Sequence, residues 1–200
     1  MNRIAVVVEG HGEVQAVPIL LRRIGEMQKE PVYIDVPMPI RTKRDRFLRN
    51  DEEFKRVLLL AAAKAGEKGG ILVLLDADDD CPATLGPETL SRAKTIVGQK
   101  TISIVLVKRE YEAWFLAAAE SLSGKRGLPE NLVSPPYPED VRGAKEWLSE
   151  QMVGSRAYHE TLDQPPLTTL FDITLARSRS ASLNKFTRDV ASLLKRNSEE

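Results

Sequence analysis

Cysteine occurs once in this 200-residue chain, as Cys81. That excludes an intramolecular disulfide and a cysteine-built zinc site, and it suits a reducing compartment. No apolar run approaches the roughly 20 residues that a membrane-spanning helix needs. The chain opens directly into a strand-like segment, with no basic stretch ahead of an apolar one, so no signal peptide is expected. The expectation is a soluble cytoplasmic protein that does not engage a membrane. Charge of one sign is also missing, since 29 Lys and Arg balance 29 Asp and Glu. Any affinity for nucleic acid therefore has to come from a local basic patch. A Gly-x-x-x-x-Gly-Lys-Ser/Thr phosphate loop is absent, and Gln15 stands where a dinucleotide fingerprint after Gly10 and Gly12 needs its third glycine.

Short apolar runs alternating with amphipathic stretches are what the chain does have. Residues 3–9 and 71–75 read as buried strands, 32–36 as a strand ended by Pro37 and Pro39, and 101–107 as a fourth. Helices are expected over 13–28, 51–68, 88–97 and 111–122, with 41–50 and 82–87 as loops. This alternation predicts βαβ units: an α/β fold with a mainly parallel four-stranded sheet and helices on both faces. After Ser123 the chain turns rich in Gly and Pro, then helical over 141–152, from Pro165-Pro166 to 176, and over 182–194. Residues 1–123 read as the sheet domain and 124–200 as a helical cap packed on it.

Two acidic clusters follow two of these strands, Glu9-Gly10-His11-Gly12-Glu13 and Asp76-Ala77-Asp78-Asp79-Asp80. In an open parallel sheet ligands bind outside the carboxyl ends of the strands. Carboxylates gathered there repel one another unless they are protonated or bridged by cations, and Mg²⁺ or Mn²⁺ prefers oxygen ligands. Glu9 ends a strand and Glu13 lies about one turn into the next helix. Asp76 and Asp78 point the same way if the chain stays extended. The bland alternatives are a solvated Glu9, a Glu13 that only serves the helix dipole, and an acidic turn. Gly10 and Gly12 allow a tight turn and close approach of a ligand. Lys108 follows strand four at the same edge, where it could neutralise a phosphate, with Glu110 and Glu112 behind it. Arg41, Lys43 and Arg44, and again Arg177, Arg179 and Ser180, could hold phosphates beside the acids. Lys145 could fold back over the site. His11 reads as a solvent-facing loop residue, Tyr158 and His159 have no evident partner, and the aspartates should raise the Cys81 pKa.

An apolar strand with Glu-Gly, a helix, and later an apolar strand with Asp-x-Asp resembles the Toprim domain of primases, topoisomerases and overcoming-lysogenization-defect nucleases. The likeness covers roughly residues 1–120. Glu110-Tyr111-Glu112-Ala113-Trp114-Phe115 and Arg177-Ser178-Arg179-Ser180-Ala181-Ser182 further resemble a prokaryotic Toprim-like family, domain of unknown function 4276, often associated with phage defence. The resemblance implies a Toprim/Rossmann-like sheet and one or two Mg²⁺ or Mn²⁺ ions held by Glu9, Glu13, Asp76 and Asp78. Glu9 and Lys108 would act in catalysis, while Asp80, Glu110 and Glu112 would add ligands or brace them. The implied activity is phosphodiester hydrolysis of nucleic acid, DNA before RNA, in phage defence or DNA repair. The protein would work as a standalone chain, as a homodimer or with a separately encoded ATPase. The alternatives are a non-catalytic metal- or nucleotide-binding subunit of such an ATPase and a small-molecule phosphatase.

Overall fold

The computed structural model describes residues 2–154 and 156–196. Strands β1 (Asn2–Val8), β2 (Ile34–Asp35), β3 (Ile40–Arg41), β4 (Gly70–Asp76) and β5 (Ile102–Val107) form a wholly parallel sheet. Their order is β2-β1-β4-β5, with β3 also against β1. β2 pairs with the start of β1 (Asn2 with Ile34) and β3 with its end (Val8 with Arg41). The residues between them include Pro37 and Pro39, which have no N–H to give the ladder, so this lane is broken in the middle.

The strands are apolar on both sides because both faces of the sheet are covered. Ile4, Val6, Val8, Leu72, Leu74, Val105 and Val107 face α1 (Glu13–Glu26) and the C-terminal helices. Ala5, Val7, Ile71, Val73, Leu75, Ile104 and Leu106 face α2 (Arg44–Arg49), α3 (Asp51–Ala65) and α4 (Pro82–Val97). α5 (Ala113–Ala117) is short and continues into a 3₁₀ turn at Ala119–Leu122. α6 (Ala144–Gln151), α7 (Glu160–Leu170), α8 (Ile173–Arg179) and α9 (Ala181–Arg196) follow. Leu183, Phe186, Val190 and Leu194 of α9 are buried as their helical spacing predicts, in the core shared with β1, β4 and β5. From α9, Lys185 Nζ reaches the Ile104 carbonyl of the outer strand β5 at 3.0 Å.

Several boundaries differ from the sequence-based expectation. Residues 41–50 hold β3's last residue and helix α2, and residues 82–87 already belong to α4. Pro82 is its first residue, where a missing N–H costs nothing. α3 stops at Ala65 because Gly66 takes φ +71°, earlier than Gly69-Gly70. Pro165 and Pro166 lie inside α7 instead of opening a helix. The carbonyls they leave without an intrahelical partner are those of Thr161 and Leu162, both exposed to water. No helix among the described residues is long and apolar enough to cross a membrane.

Candidate functional site

Asp76 closes β4 with the same parity as Leu72 and Leu74, so its side chain turns toward α1 and the helical cap. There it meets Glu13, from the first turn of α1, and Glu112, just ahead of α5. Glu13 and Glu112 are buried. Glu13 Oε2 accepts from the backbone N–H of Glu9 at 3.0 Å and of Gly10 at 3.2 Å. Glu112 Oε1 accepts from Tyr158 Oη at 2.7 Å and Gln164 Nε2 at 3.0 Å. Asp76 Oδ1 and Glu112 Oε2 are buried with no hydrogen-bond partner. Lys145 Nζ bonds Glu160 at 3.2 Å, and its charge is felt by both Glu112 and Asp76. Lys145 thus does fold back over the acids, as a counter-ion.

Gly12 has a different duty from the one its sequence suggests. A Cβ there would lie 2.6 Å from the Glu160 carbonyl and would also strike Gln164, so the missing side chain admits α7 rather than a ligand. That close approach delivers Gln164 and Glu160 to the acidic cluster, and Glu160 Oε1 also accepts from the His11 amide at 3.2 Å.

Burial pushes the Glu13 carboxyl up from 4.5 to about 7; the Glu9 and Gly10 amides oppose this, and the charges of Glu112 and Glu9 add to it. Asp76 is raised well above the ordinary range, first by burial and then by Glu13 and Glu112, against the pull of Lys145. Glu112 is raised by burial, again with Lys145 opposing. Glu9 is raised by burial and by Asp78, while the Arg44 amide works the other way.

Folded carboxyls that hold protons which the unfolded chain releases make stability fall as pH rises. For Glu13 the window runs from 4.5 to about 7 and corresponds to roughly 3 kcal/mol. In EDTA the thermal midpoint should therefore be lower at pH 8 than at pH 5.5, and Glu13→Gln should flatten that slope. An unchanged slope in the variant would remove Glu13 from the cluster's energetics.

The second acidic segment divides instead of converging. Asp78 takes φ +49° and bridges to Arg109, itself at φ +69°. The chain leaves the extended geometry there, so Asp78 does not share Asp76's side; its carboxylate lies 3.7 Å from Arg44. Asp80 also pairs with Arg44, and Asp79 with Arg109 and Arg142. Arg44 is buried and its guanidinium donates to the carbonyls of Asp76 and Ala77, so it ties the loop down instead of presenting an open fork to phosphate. Glu9 lies on this side, accepting from the Arg44 amide at 3.2 Å. Arg41 and Lys43 are exposed beside it. Lys108 pairs with Asp140, and Glu110 accepts from the Lys145 amide at 3.4 Å.

Arg179 is held by Glu120, and Ser180 is buried against Glu139. Neither touches the acidic cluster. Tyr158, which showed no partner in the sequence, is a direct donor to Glu112. The Cys81 thiol is lowered rather than raised: the Thr84 side chain and the Ala83 and Thr84 amides at the start of α4 favour the thiolate, and Lys108 adds to them. Tyr158 and Gln164 lie 46 and 52 residues from Glu112, and Glu160 lies 149 from His11, so no local pattern marks these contacts.

Fold and site together define a parallel α/β protein with buried carboxyls of raised pKa at the carboxyl edge of its sheet. The chain belongs to the family described as Domain of unknown function (DUF4276), whose model matches residues 8–191. No curated protein and no solved structure matches it.

Proposed function

We propose that the chain is a Toprim-type, divalent-cation-dependent phosphodiesterase acting on nucleic acid. The observation that carries this reading is the pair of orphaned, buried carboxylate oxygens, Asp76 Oδ1 and Glu112 Oε2, beside Glu13. An all-oxygen donor set suits Mg²⁺ or Mn²⁺. Among the described residues no group of three acids is already close enough to cage a cation. Glu13, Asp76 and Glu112 would hold the ion once their side chains turned toward it, with Glu9 and Asp78 on the open side of the same strand ends. A divalent ion bound there supplies Lewis acidity toward a phosphoryl oxygen.

The chain's own residues would do the rest. Glu9 is half-buried with a raised pKa, which suits it to exchange a proton with an attacking water or a leaving oxygen. Lys145 limits the repulsion among the acids. Lys108, Arg41 and Lys43 at the same edge would meet substrate phosphates. The single unpaired cysteine agrees with a reducing, cytoplasmic setting.

The test is cleavage of plasmid DNA, single-stranded DNA and RNA by the pure chain with Mg²⁺, Mn²⁺ or EDTA, beside Glu112→Gln. Cutting that needs the cation and disappears in the variant is expected. Failure to cut any substrate, with no calorimetric cation binding, would overturn the reading.

A further inference from the structure

We propose that the cleft where the end of α1 meets α8 and α9 binds a phosphate group, either of inorganic phosphate or of a phosphodiester backbone. The cleft encloses about 230 Å³ and is lined by Lys29, Arg177 and Arg188 over a floor that includes Ile24 and Ile173, with Thr187 at its side. No Asp or Glu is among its lining residues.

Three cations converge on this cleft without a carboxylate among its lining residues. Most arginines of this charge-balanced chain meet carboxylates: Arg3, Arg44, Arg46, Arg56, Arg92, Arg109, Arg126, Arg142, Arg156 and Arg179 are all paired. Among the described residues Lys29 and Arg188 have no ion-pair partner. Arg177 makes one long bond, Nη2 to Asn184 Oδ1 at 3.4 Å, and its Nε is buried without any partner. The Arg177 guanidinium, flanked by two further cations, matches the several acceptor oxygens and the negative charge of a phosphate group.

The cleft is not part of the acidic site. α1 begins with Glu13 at the carboxyl edge of the sheet and runs back for 14 residues, about 20 Å at 1.5 Å per residue. Lys29 follows its end, and Ile34 soon after pairs with Asn2 at the amino end of β1. Arg177 therefore stands at the opposite edge from Asp76, not beside it as its sequence context suggests. The proposal does not depend on the phosphodiesterase reading, because its measure is binding without turnover.

The experiment titrates inorganic phosphate, pyrophosphate and a short oligonucleotide into the full chain by calorimetry. EDTA is present so that cations cannot link anions to the carboxyls. Arg188→Glu, Arg177→Lys and, as a charge-reversal control far from the cleft, Lys55→Glu are compared, with folding checked by circular dichroism. Arg188 and Lys55 are exposed, so their variants should keep the fold even if that of Arg177 does not. Binding at least about tenfold weaker in Arg188→Glu and unchanged in Lys55→Glu is expected. Arg188-dependent binding of the oligonucleotide but not of free phosphate would assign the cleft to a nucleic-acid backbone; the reverse would assign it to a free phosphate. No binding of any probe, or binding that Arg188→Glu leaves intact (an adventitious ion only), would overturn the proposal.

Discussion

Asp76→Asn should lower cation-dependent phosphodiester cleavage by roughly 100-fold or more and, at pH 8 in EDTA, raise the thermal midpoint. Few single substitutions should do both. Asp76 is half-buried at the end of β4, its Oδ1 buried and unbonded, and Glu13 and Glu112 crowd it with like charge. Asparagine keeps the shape and removes the charge whose burial is unfavourable, so the free energy held against folding is returned. For a chain of this size each kcal/mol regained is worth about 2–4 °C. Retained cleavage would remove Asp76 from the catalytic centre. A fall in midpoint with loss of fold would make Asp76 a structural residue.

The opposite sign is expected for Lys145→Met. Lys145 is the cation that faces the buried acids, and its own pKa is raised by Glu112, Asp76 and Glu160 against the effect of burial. Removing one partner of a fully buried ion pair costs about 3–5 kcal/mol. The Lys145 side chain is 38% exposed, which screens the interaction and brings the expected loss to about 2–3 kcal/mol. That is a fall of roughly 5–10 °C at pH 8. At pH 5 the cluster holds more protons, so the loss should shrink. Asp76→Asn in the same chain should recover part of it, as the coupling of neighbouring charges requires. Equal losses at both pH values, with no rescue, would mean that Lys145 acts through packing alone.

The strand ends were legible because apolar runs stop abruptly at Glu9 and Asp76, and period and composition alone place both at one sheet edge. The Trp114, Phe115 and α9 core positions were legible for the same reason. Asp78 parts from Asp76 because alternation holds only while a strand stays extended, and the chain turns left-handed one residue beyond Ala77. Glu112 was visible only as an accessory acid. Its central place is set by Tyr158 and Gln164, brought in by a helix whose approach depends on Gly12. Arg177 sat in a basic run whose neighbours, Arg179 and Ser180, turn instead to Glu120 and Glu139. Composition reports such a cluster but not which way each helix face turns.

The Lys185 contact on β5 bears on how the molecule avoids growing into something larger. The carbonyls of Thr101, just before β5, and of Val107 at its end point to β4, accepting from Ile71 and Ala77. Strand alternation therefore turns Ile104's carbonyl to the open flank, where an incoming strand would dock. Lys185 already fills that acceptor and places a charge in the lane. On the far flank the proline-broken lane of β2 and β3 denies a continuous row of donors. Both margins of the sheet thus resist edge-to-edge pairing, and the apolar strands between them are guarded by chemistry at the borders.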